Sequence, residues 1–227
     1  MTDLFENERI DDLEINDLRL IQNAEGYCFT SDSVLLANLV KARKADKILD
    51  VGAGSGIISI LLAGKMGYGN VSALEIQKNM AALAARNVEM NGLSDKIVVI
   101  NSSLQDFAKS VPAESFDVIV SNPPYIASAE VEKLMPEVRD HEPRMALDGT
   151  EDGLHFYRRI IEEAGKHLVS SGMLFFEIGY DQGQAVSELM RTEGYREVQV
   201  VQDYAGLDRV VFGTYVTVQP APFAKSR

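Results

Sequence analysis

The 227-residue sequence has few of the residues that build metal sites and disulfides, and no long apolar run. Its single cysteine, Cys28, excludes a disulfide within the chain and a zinc site made of several cysteines. The three histidines, His141, His155 and His167, do not have the spacing of metal ligands, so we expect no metal. The longest apolar run, Ile57 to Gly64, is well short of the roughly 18 residues that a membrane span needs. The N-terminus also lacks the apolar segment of a secretory signal, and we expect a cytoplasmic protein with no membrane contact.

Basic residues are in the minority, with 22 lysines and arginines against 34 acidic residues, and the net charge is −12. A protein that binds nucleic acid through phosphates alone usually has a basic surface. The charge therefore favours a cationic or protein partner over bare RNA. A local exception is the basic stretch 41–44, which is also typical of a helix C-terminus.

Strand-like apolar runs alternate with segments of helical periodicity from residue 31 to residue 216. Repeated β-α units predict a mainly parallel sheet covered on both faces by helices. The last two strands, near 197–201 and 209–216, are joined by a turn too short for a helical crossover and should pair antiparallel. We therefore predict an α/β fold of the Rossmann-like kind, with a seven-stranded sheet and a terminal hairpin. We expect residues 1–30 to form a lead-in or cap and residues 217–227 a disordered tail.

A glycine-rich turn follows the first main strand and contains Asp50, Gly52, Gly54 and Gly56. Ligands of open α/β sheets bind beside such turns, and glycine lets the backbone approach them closely. Glu75 ends the next strand, where an acid can accept both hydroxyls of a ribose. The last glycine falls one position early for the nicotinamide pattern G-x-G-x-x-G, and Asp50 would repel a pyrophosphate. The turn therefore favours a sulfonium and ammonium ligand such as S-adenosylmethionine over a dinucleotide.

The sequence Asn122-Pro123-Pro124-Tyr125 directly follows another predicted strand, FDVIVS, and so lies at the same edge of the sheet. Two consecutive prolines fix φ and remove two donors, which makes the loop stiff. The carbonyls of the Asn122 side chain and of Pro123 can then accept both protons of an NH₂ group, while Tyr125 offers it a flat face. Such orientation can aim the nitrogen lone pair at a methyl group. An ordinary proline turn is the structural alternative.

With both motifs in place, the chain resembles the class I methyltransferases of the N-P-P-Y type over nearly its whole length. The resemblance implies that S-adenosylmethionine binds at the glycine turn, Glu75 and Asn122, and that the reaction is methyl transfer to a planar amide or amino nitrogen. It further implies catalytic roles for Asn122, Pro123 and Tyr125, and substrate contacts for Pro124 and Tyr125. Members of this class often have an acid near the adenine, where this chain has Ser103, followed by Leu104.

The two halves resemble different subfamilies. From Ser121 onward, SNPPYI, HEPRMALDGTEDGLHFYRRI, FFEIGYDQG and DYAGLDRVVFG are similar to the bacterial release-factor glutamine methyltransferases of the HemK type. That resemblance implies a peptide release factor as substrate and places Glu142 at the mouth of the site. The front half, with ERIDDLEINDLRLIQNAEGYCFTSDSVLLANLV and ALEIQ, resembles the tRNA adenine-N6 methyltransferases.

Three functional interpretations stay open. The first is methylation of a release-factor glutamine, which we favour because the longer matches flank the substrate side of the site. The second is tRNA adenine-N6 methylation, since both substrates offer a planar NH₂ group. The third is a partner subunit that binds S-adenosylmethionine without catalysis, although such a subunit would not need the N-P-P-Y sequence.

Two acids outside these motifs have open roles. Asp32 lies in Ser31-Asp-Ser33, which suits a helix N-cap, or it could belong to a lid over the cofactor. Glu177 is predicted at the end of a strand, where it could face the site or only complete the edge of the sheet.

Overall fold

The computed structural model of the chain describes residues 4–23, 29, 31–139 and 143–216. The predicted tail at 217–227 therefore lies outside the described residues. The strands are β1 Glu8–Asp12, β2 Arg19–Asn23, β3 Lys47–Val51, β4 Asn70–Glu75, β5 Ile97–Asn101, β6 Phe116–Ser121, β7 Leu168–Glu177, β8 Tyr195–Gln202 and β9 Asp208–Tyr215. The helices are α1 Ser31–Leu39, α2 Ile57–Ile60, α3 Lys78–Met90, α4 Leu104–Ser110, α5 Ser128–Val131, α6 Pro136–Arg139, α7 Arg144–Leu147, α8 His155–His167 and α9 Gly183–Thr192. Helix α2 continues as a π-helix, Leu61–Lys65.

The main sheet has seven strands in the order β5-β4-β3-β6-β7-β9-β8. The strands β3 to β7 run parallel, whereas β9 is antiparallel to both β7 and β8. The predicted fold class and terminal hairpin are thus confirmed. The strand order reverses between β3 and β6, because the chain builds β4 and β5 on one side of β3 and returns on the other. In open α/β sheets such a reversal is where a ligand crevice opens.

Helices cover both faces of the sheet and bury two apolar clusters. One cluster includes side chains of α1, α2 and α3, and the other includes side chains of α4, α8 and α9. The apolar run at 57–64 is helical and largely buried. Strand β7 begins at Leu168 and passes through Ser171 at φ 69°. In the described ranges, no helix has both the length and the apolar character needed to cross a membrane.

The N-terminal strands β1 and β2 form a separate two-stranded hairpin. It is attached to α3 through Asn87, whose Oδ1 accepts a hydrogen bond from Ile21 N at 2.6 Å. The Asn87 Nδ2 donates to Ile21 O at 3.1 Å and to Ser55 O at 2.9 Å. One side chain therefore joins the hairpin, α3 and the glycine turn. Arg86 adds an ion pair with Glu8 at 2.7 Å.

Replacement of Asn87 by alanine should lower the free energy of unfolding by about 2–3 kcal/mol, because it leaves buried backbone groups of Ile21 and Ser55 without partners. Urea denaturation followed by circular dichroism measures the change. The control is Asn91→Ala, which removes bonds to the Arg19 backbone at an exposed position and should cost about 1 kcal/mol or less. Equal losses in the two variants would contradict the role of Asn87.

Candidate active site

The glycine turn is hydrogen-bonded to the end of β4. Both Gly52 N and Ala53 N donate to Leu74 O, at 2.8 and 3.0 Å. Gly52 and Gly54 have φ values of +74° and +56°, and a Cβ on either would meet no atom within 4 Å. Open space therefore lies above the turn, with bare backbone facing it. Gly56 differs, since a Cβ there would lie 3.3 Å from Ala84 Cβ of α3.

Glu75 holds the turn in place from the end of β4. Its Oε2 accepts a hydrogen bond from Gly54 N at 2.9 Å, and its Oε1 accepts one from Gln77 N at 2.7 Å. The side chain is thus fixed between the glycine turn and the start of α3, at the position the sequence predicts for a ribose contact. Carboxylate oxygens have enough lone pairs to accept further hydrogen bonds from a ligand.

Asp50 lies beneath the turn and is completely buried. Its Oδ2 accepts hydrogen bonds from Ser59 N at 3.1 Å and Ser59 Oγ at 2.7 Å, while Oδ1 has no partner. Burial chiefly, and the nearby charge of Glu75 to a smaller extent, raise the pKa of Asp50 to about 7 against the opposing effect of the hydrogen bonds from Ser59. In its ionised form Asp50 adds to the negative charge of Glu75 in this part of the site.

The N-P-P-Y loop lies directly beside the glycine turn. It leaves the sheet at the end of β6, where Ser121 pairs with Val51, the last residue of β3. The Ser121 Oγ also donates to Val51 O at 2.7 Å. Pro123 is buried, and the Nδ2 of the half-buried Asn122 donates to Ser33 Oγ at 3.5 Å. The tertiary structure thus brings the two predicted motifs together.

The far end of this loop is supported by residues that the sequence analysis did not identify. Gln182 Nε2 donates to Tyr125 O at 2.9 Å. The segment 147–153 runs alongside the loop, with Gly149 N donating to Ile126 O at 2.8 Å. A Cβ on Gly149 would lie 2.8 Å from Tyr125 Cα, and Gly153 is in similarly close contact with Tyr125 O. The glycines of DGTEDG were the sequence signal for this close backbone approach.

Glu177, the last residue of β7, faces the site and not only the sheet edge. It is 1% exposed, and its carboxyl group is hydrogen-bonded to the side chains of Asn122 and Ser33, while Oε2 has no hydrogen-bond partner. Burial raises the pKa of Glu177 to about 8, with a further upward contribution from Asp32 and an opposing one from Arg209. A second buried acid therefore lies next to the predicted catalytic asparagine.

The remaining predicted residues lie around this centre. Ser103 caps α4, with its Oγ accepting from Asp106 N at 3.1 Å, and Leu104 is the first residue of that helix. Asp32 is not a helix cap, because α1 begins at Ser31 and the Asp32 carboxylate lies 3.5 Å from Arg209 Nε. The predicted substrate contact Glu142 lies outside the described residues.

These features fit S-adenosylmethionine. The backbone of Gly52 and Gly54 faces open space in which a ligand can lie against it. The acids Asp50 and Glu75 give that space a negative potential, which suits a cationic ligand and would repel a pyrophosphate.

Comparison with known proteins agrees with this geometry. The family profile named Methyltransferase small domain matches residues 29–138. A methyltransferase from Pyrococcus furiosus has a similar fold, with a TM-score of 0.58, 21% identity and 82% of each chain covered. The chain therefore has the fold of a methyltransferase, and its glycine turn leaves open space suited to S-adenosylmethionine.

Two curated relatives place the chain more closely. The release factor glutamine methyltransferase of Gloeobacter violaceus is 35% identical over 200 residues, which cover 88% of this chain and 68% of that protein. The one from Fusobacterium nucleatum is 40% identical over 173 residues, 76% of this chain and 48% of that protein. The chain thus spans about half to two thirds of the length of these relatives. It belongs to the methyltransferase family that contains them.

The buried carboxyl of Asp50 should make stability depend on pH. Its folded pKa of about 7 lies above the ordinary value of 3.8 for an aspartate, so the free energy of unfolding should fall as the pH rises from about 4 to about 7. The free energy of unfolding of Asp50→Asn, relative to that of the wild type, should therefore increase by roughly 2 kcal/mol as the pH rises from 5 to 8. Urea denaturation of the ligand-free proteins measures this difference. Asp95→Asn, at an exposed position, is the control; a difference for Asp50→Asn that does not change with pH would refute the assignment.

Proposed function

We propose that this chain transfers a methyl group from S-adenosylmethionine to the side-chain amide nitrogen of a glutamine in a peptide release factor. The observation that carries the proposal is the hydrogen bond between the strand ends that lead into the two motifs, in which Ser121 Oγ donates to Val51 O. This contact puts the loop suited to an NH₂ group beside the turn suited to the methyl donor. The related release factor glutamine methyltransferases support glutamine as the acceptor.

Each cofactor-binding residue contacts a different part of S-adenosylmethionine in this proposal. When bound, S-adenosylmethionine supplies a methyl group made electrophilic by its sulfonium charge. The backbone at Gly52 and Gly54 lies against it, and Glu75 accepts hydrogen bonds from its ribose hydroxyls. Asp50 acts from below the turn through its charge, because its side chain is completely buried. Ser103 and Leu104 are the proposed neighbours of the adenine.

The N-P-P-Y loop positions the acceptor nitrogen. The side-chain oxygen of Asn122 and the carbonyl of Pro123 accept its two protons, while Pro124 and Tyr125 pack against the planar amide. An amide nitrogen is a poor nucleophile because its lone pair is delocalised, and fixed acceptors favour a more tetrahedral nitrogen. As the N–CH3 bond forms, the S–CH3 bond breaks and S-adenosylhomocysteine is left; the methylated nitrogen is then far more acidic and loses a proton to water. Glu142 remains a proposed substrate contact at the mouth, and the scheme uses no metal.

The charges around the site support a protein substrate over tRNA. Three arginines near the N-P-P-Y loop are ion-paired: Arg144 with Glu132 and Asp148, Arg158 with Asp152, and Arg209 with Asp203 and Asp32. Each arginine is thus matched by at least one neighbouring carboxylate, so these three side chains do not form a basic patch. The basic stretch 41–44 lies just before β3 begins, at the edge of the sheet opposite the site.

Methylation of a tRNA adenine is the second candidate, favoured by the resemblance of the front half of the chain. That half includes the hairpin attached to α3 through Asn87. A subunit without catalysis is disfavoured by the complete N-P-P-Y loop and its supports at Gln182 and Gly149. Both catalytic candidates act in the cytoplasm, which we propose as the location.

Two substitutions should separate cofactor binding from methyl transfer. Asn122→Ala should lower the turnover rate about 100-fold or more, because a transition-state acceptor is lost, with little change in S-adenosylmethionine affinity. Glu75→Ala should instead weaken that affinity about tenfold or more, because charge-assisted hydrogen bonds to the ribose are lost. Calorimetry and single-turnover kinetics measure the two effects. Equal loss of affinity in both variants would contradict the assigned roles.

The substrate is tested by transfer of radiolabelled methyl groups to purified release factor and, in parallel, to unmodified tRNA. We expect label in the release factor, lost when its acceptor glutamine is replaced. Label recovered from tRNA as N6-methyladenosine would establish the second candidate instead. The Asn122→Ala variant serves as the control for contaminating methyltransferases in both reactions.

A further inference from the structure

The side-chain amide of Asn122 can work in only one of its two orientations. To accept a proton from an NH₂ group it must present Oδ1, whereas a flip of the amide presents Nδ2, a second donor. The two orientations have nearly the same shape, so packing does not distinguish them. A neighbouring group with fixed hydrogen-bonding character must therefore decide the orientation.

Ser33 does not decide it. The Ser33 hydroxyl lies 3.5 Å from Asn122 Nδ2, at the long limit for a hydrogen bond. A hydroxyl can also donate as well as accept, so it suits either end of the amide. Glu177 is different, because above its pKa of about 8 it is an ionised carboxylate, which can only accept. Its hydrogen bond to the Asn122 side chain is compatible only with Nδ2 facing inward.

We propose that Glu177 is a positioning residue that orients the Asn122 amide for methyl transfer. Its place in the fold suits that role, since it ends β7 directly beside β6, where Ser121 pairs with Phe176. The backbone of Glu177 is also fixed, because its carbonyl accepts a hydrogen bond from Tyr157 OH at 3.0 Å. The proposal rests on the proposed function, in which Asn122 accepts a proton of the substrate NH₂.

The burial of Glu177 is unfavourable for folding. The side chain is 1% exposed and its Oε2 has no hydrogen-bond partner. Burying a carboxylate with an unsatisfied oxygen destabilises a protein, and an apolar residue of similar size is often better tolerated. A purely structural role therefore does not explain a glutamate here, whereas a fixed acceptor for Asn122 does.

Three further groups face the Glu177 carboxyl or its backbone. Asp32 comes from α1, Arg209 from β9 and Tyr157 from α8. Arg209 favours the ionised form of Glu177, while Asp32 opposes it. The pKa of Glu177 is about 8, so the carboxyl group changes its protonation state just above neutral pH. The hydrogen bonding of the Asn122 amide should change when Glu177 gains or loses its proton.

The first experiment compares Glu177→Met with Glu177→Gln at a pH above about 8, where Glu177 of the wild type is ionised. The methionine has a similar volume but no strong acceptor, so turnover should fall on the order of 10- to 100-fold with unchanged affinity for S-adenosylmethionine. The midpoint of thermal unfolding should stay the same or rise. Glutamine keeps one acceptor oxygen and should restore part of the turnover. Unchanged turnover in Glu177→Met, or turnover that falls together with stability and cofactor affinity, would overturn the proposal.

Combining the substitutions tests whether Glu177 acts through Asn122. In the Asn122→Ala background, Glu177→Met should lower turnover by less than about twofold, because the group that it orients is already absent. Independent, multiplying losses would overturn the proposal.

A readout without catalysis keeps this inference separate from the proposed function. In ¹⁵N–¹H spectra, the side-chain amide signal of Asn122 is assigned by its loss in Asn122→Ala. In the wild type it should shift with an apparent pKa near 8, the value for Glu177, and this shift should disappear in Glu177→Gln. A signal that is the same in both proteins would refute the positioning role whatever the substrate is. Failure of wild-type methyl transfer with a normal titration would instead count against the proposed function.

Discussion

The site depends on the parallel pairing of β3 with β6. Val51 and Ser121 are neighbours in register, and the hydrogen bond from Ser121 Oγ to Val51 O joins the two strand ends. Their chains then part: α2 follows β3 on one face of the sheet, and the helix α8 that precedes β7 packs on the other. This divergence leaves a crevice between a turn suited to a methyl donor and a loop suited to an acceptor. Without the pairing of β3 with β6, the glycine turn and the N-P-P-Y loop would not lie side by side.

Buried carboxylates give the crevice its chemical character. Asp50 and Glu177 each retain an oxygen without a hydrogen-bond partner, and their pKa values are raised by burial to about 7 and about 8. Glu75 is instead satisfied by backbone donors from the turn and from α3. The protein thus accepts a cost in folding stability at two places beside the site. Such unfavourable burial is common at functional sites, where charge is needed in a dry environment.

The loops of the site are stiff because separate parts of the chain hold them. Asn87 connects the N-terminal hairpin to Ser55 in the glycine turn, while Gln182 and the glycines of the 147–153 segment hold Tyr125. Small displacements of reacting groups have large effects on rate, so this support is part of how the site works. The hairpin and the segment 147–153 therefore matter to the reaction without touching the reacting atoms.

The sequence alone determined the fold class and the two motifs, because both depend on local signals. Periodicity and the short turn before β9 predicted the sheet and its hairpin, and the spacing of Gly52, Gly54 and Gly56 predicted the cofactor turn. Only the tertiary structure decided which side chains support those motifs. Glu177 and Asn122 are far apart in the chain and meet because β6 and β7 pair. Burial and hydrogen bonding between distant residues leave no periodic pattern, so they appear only once the chain has folded.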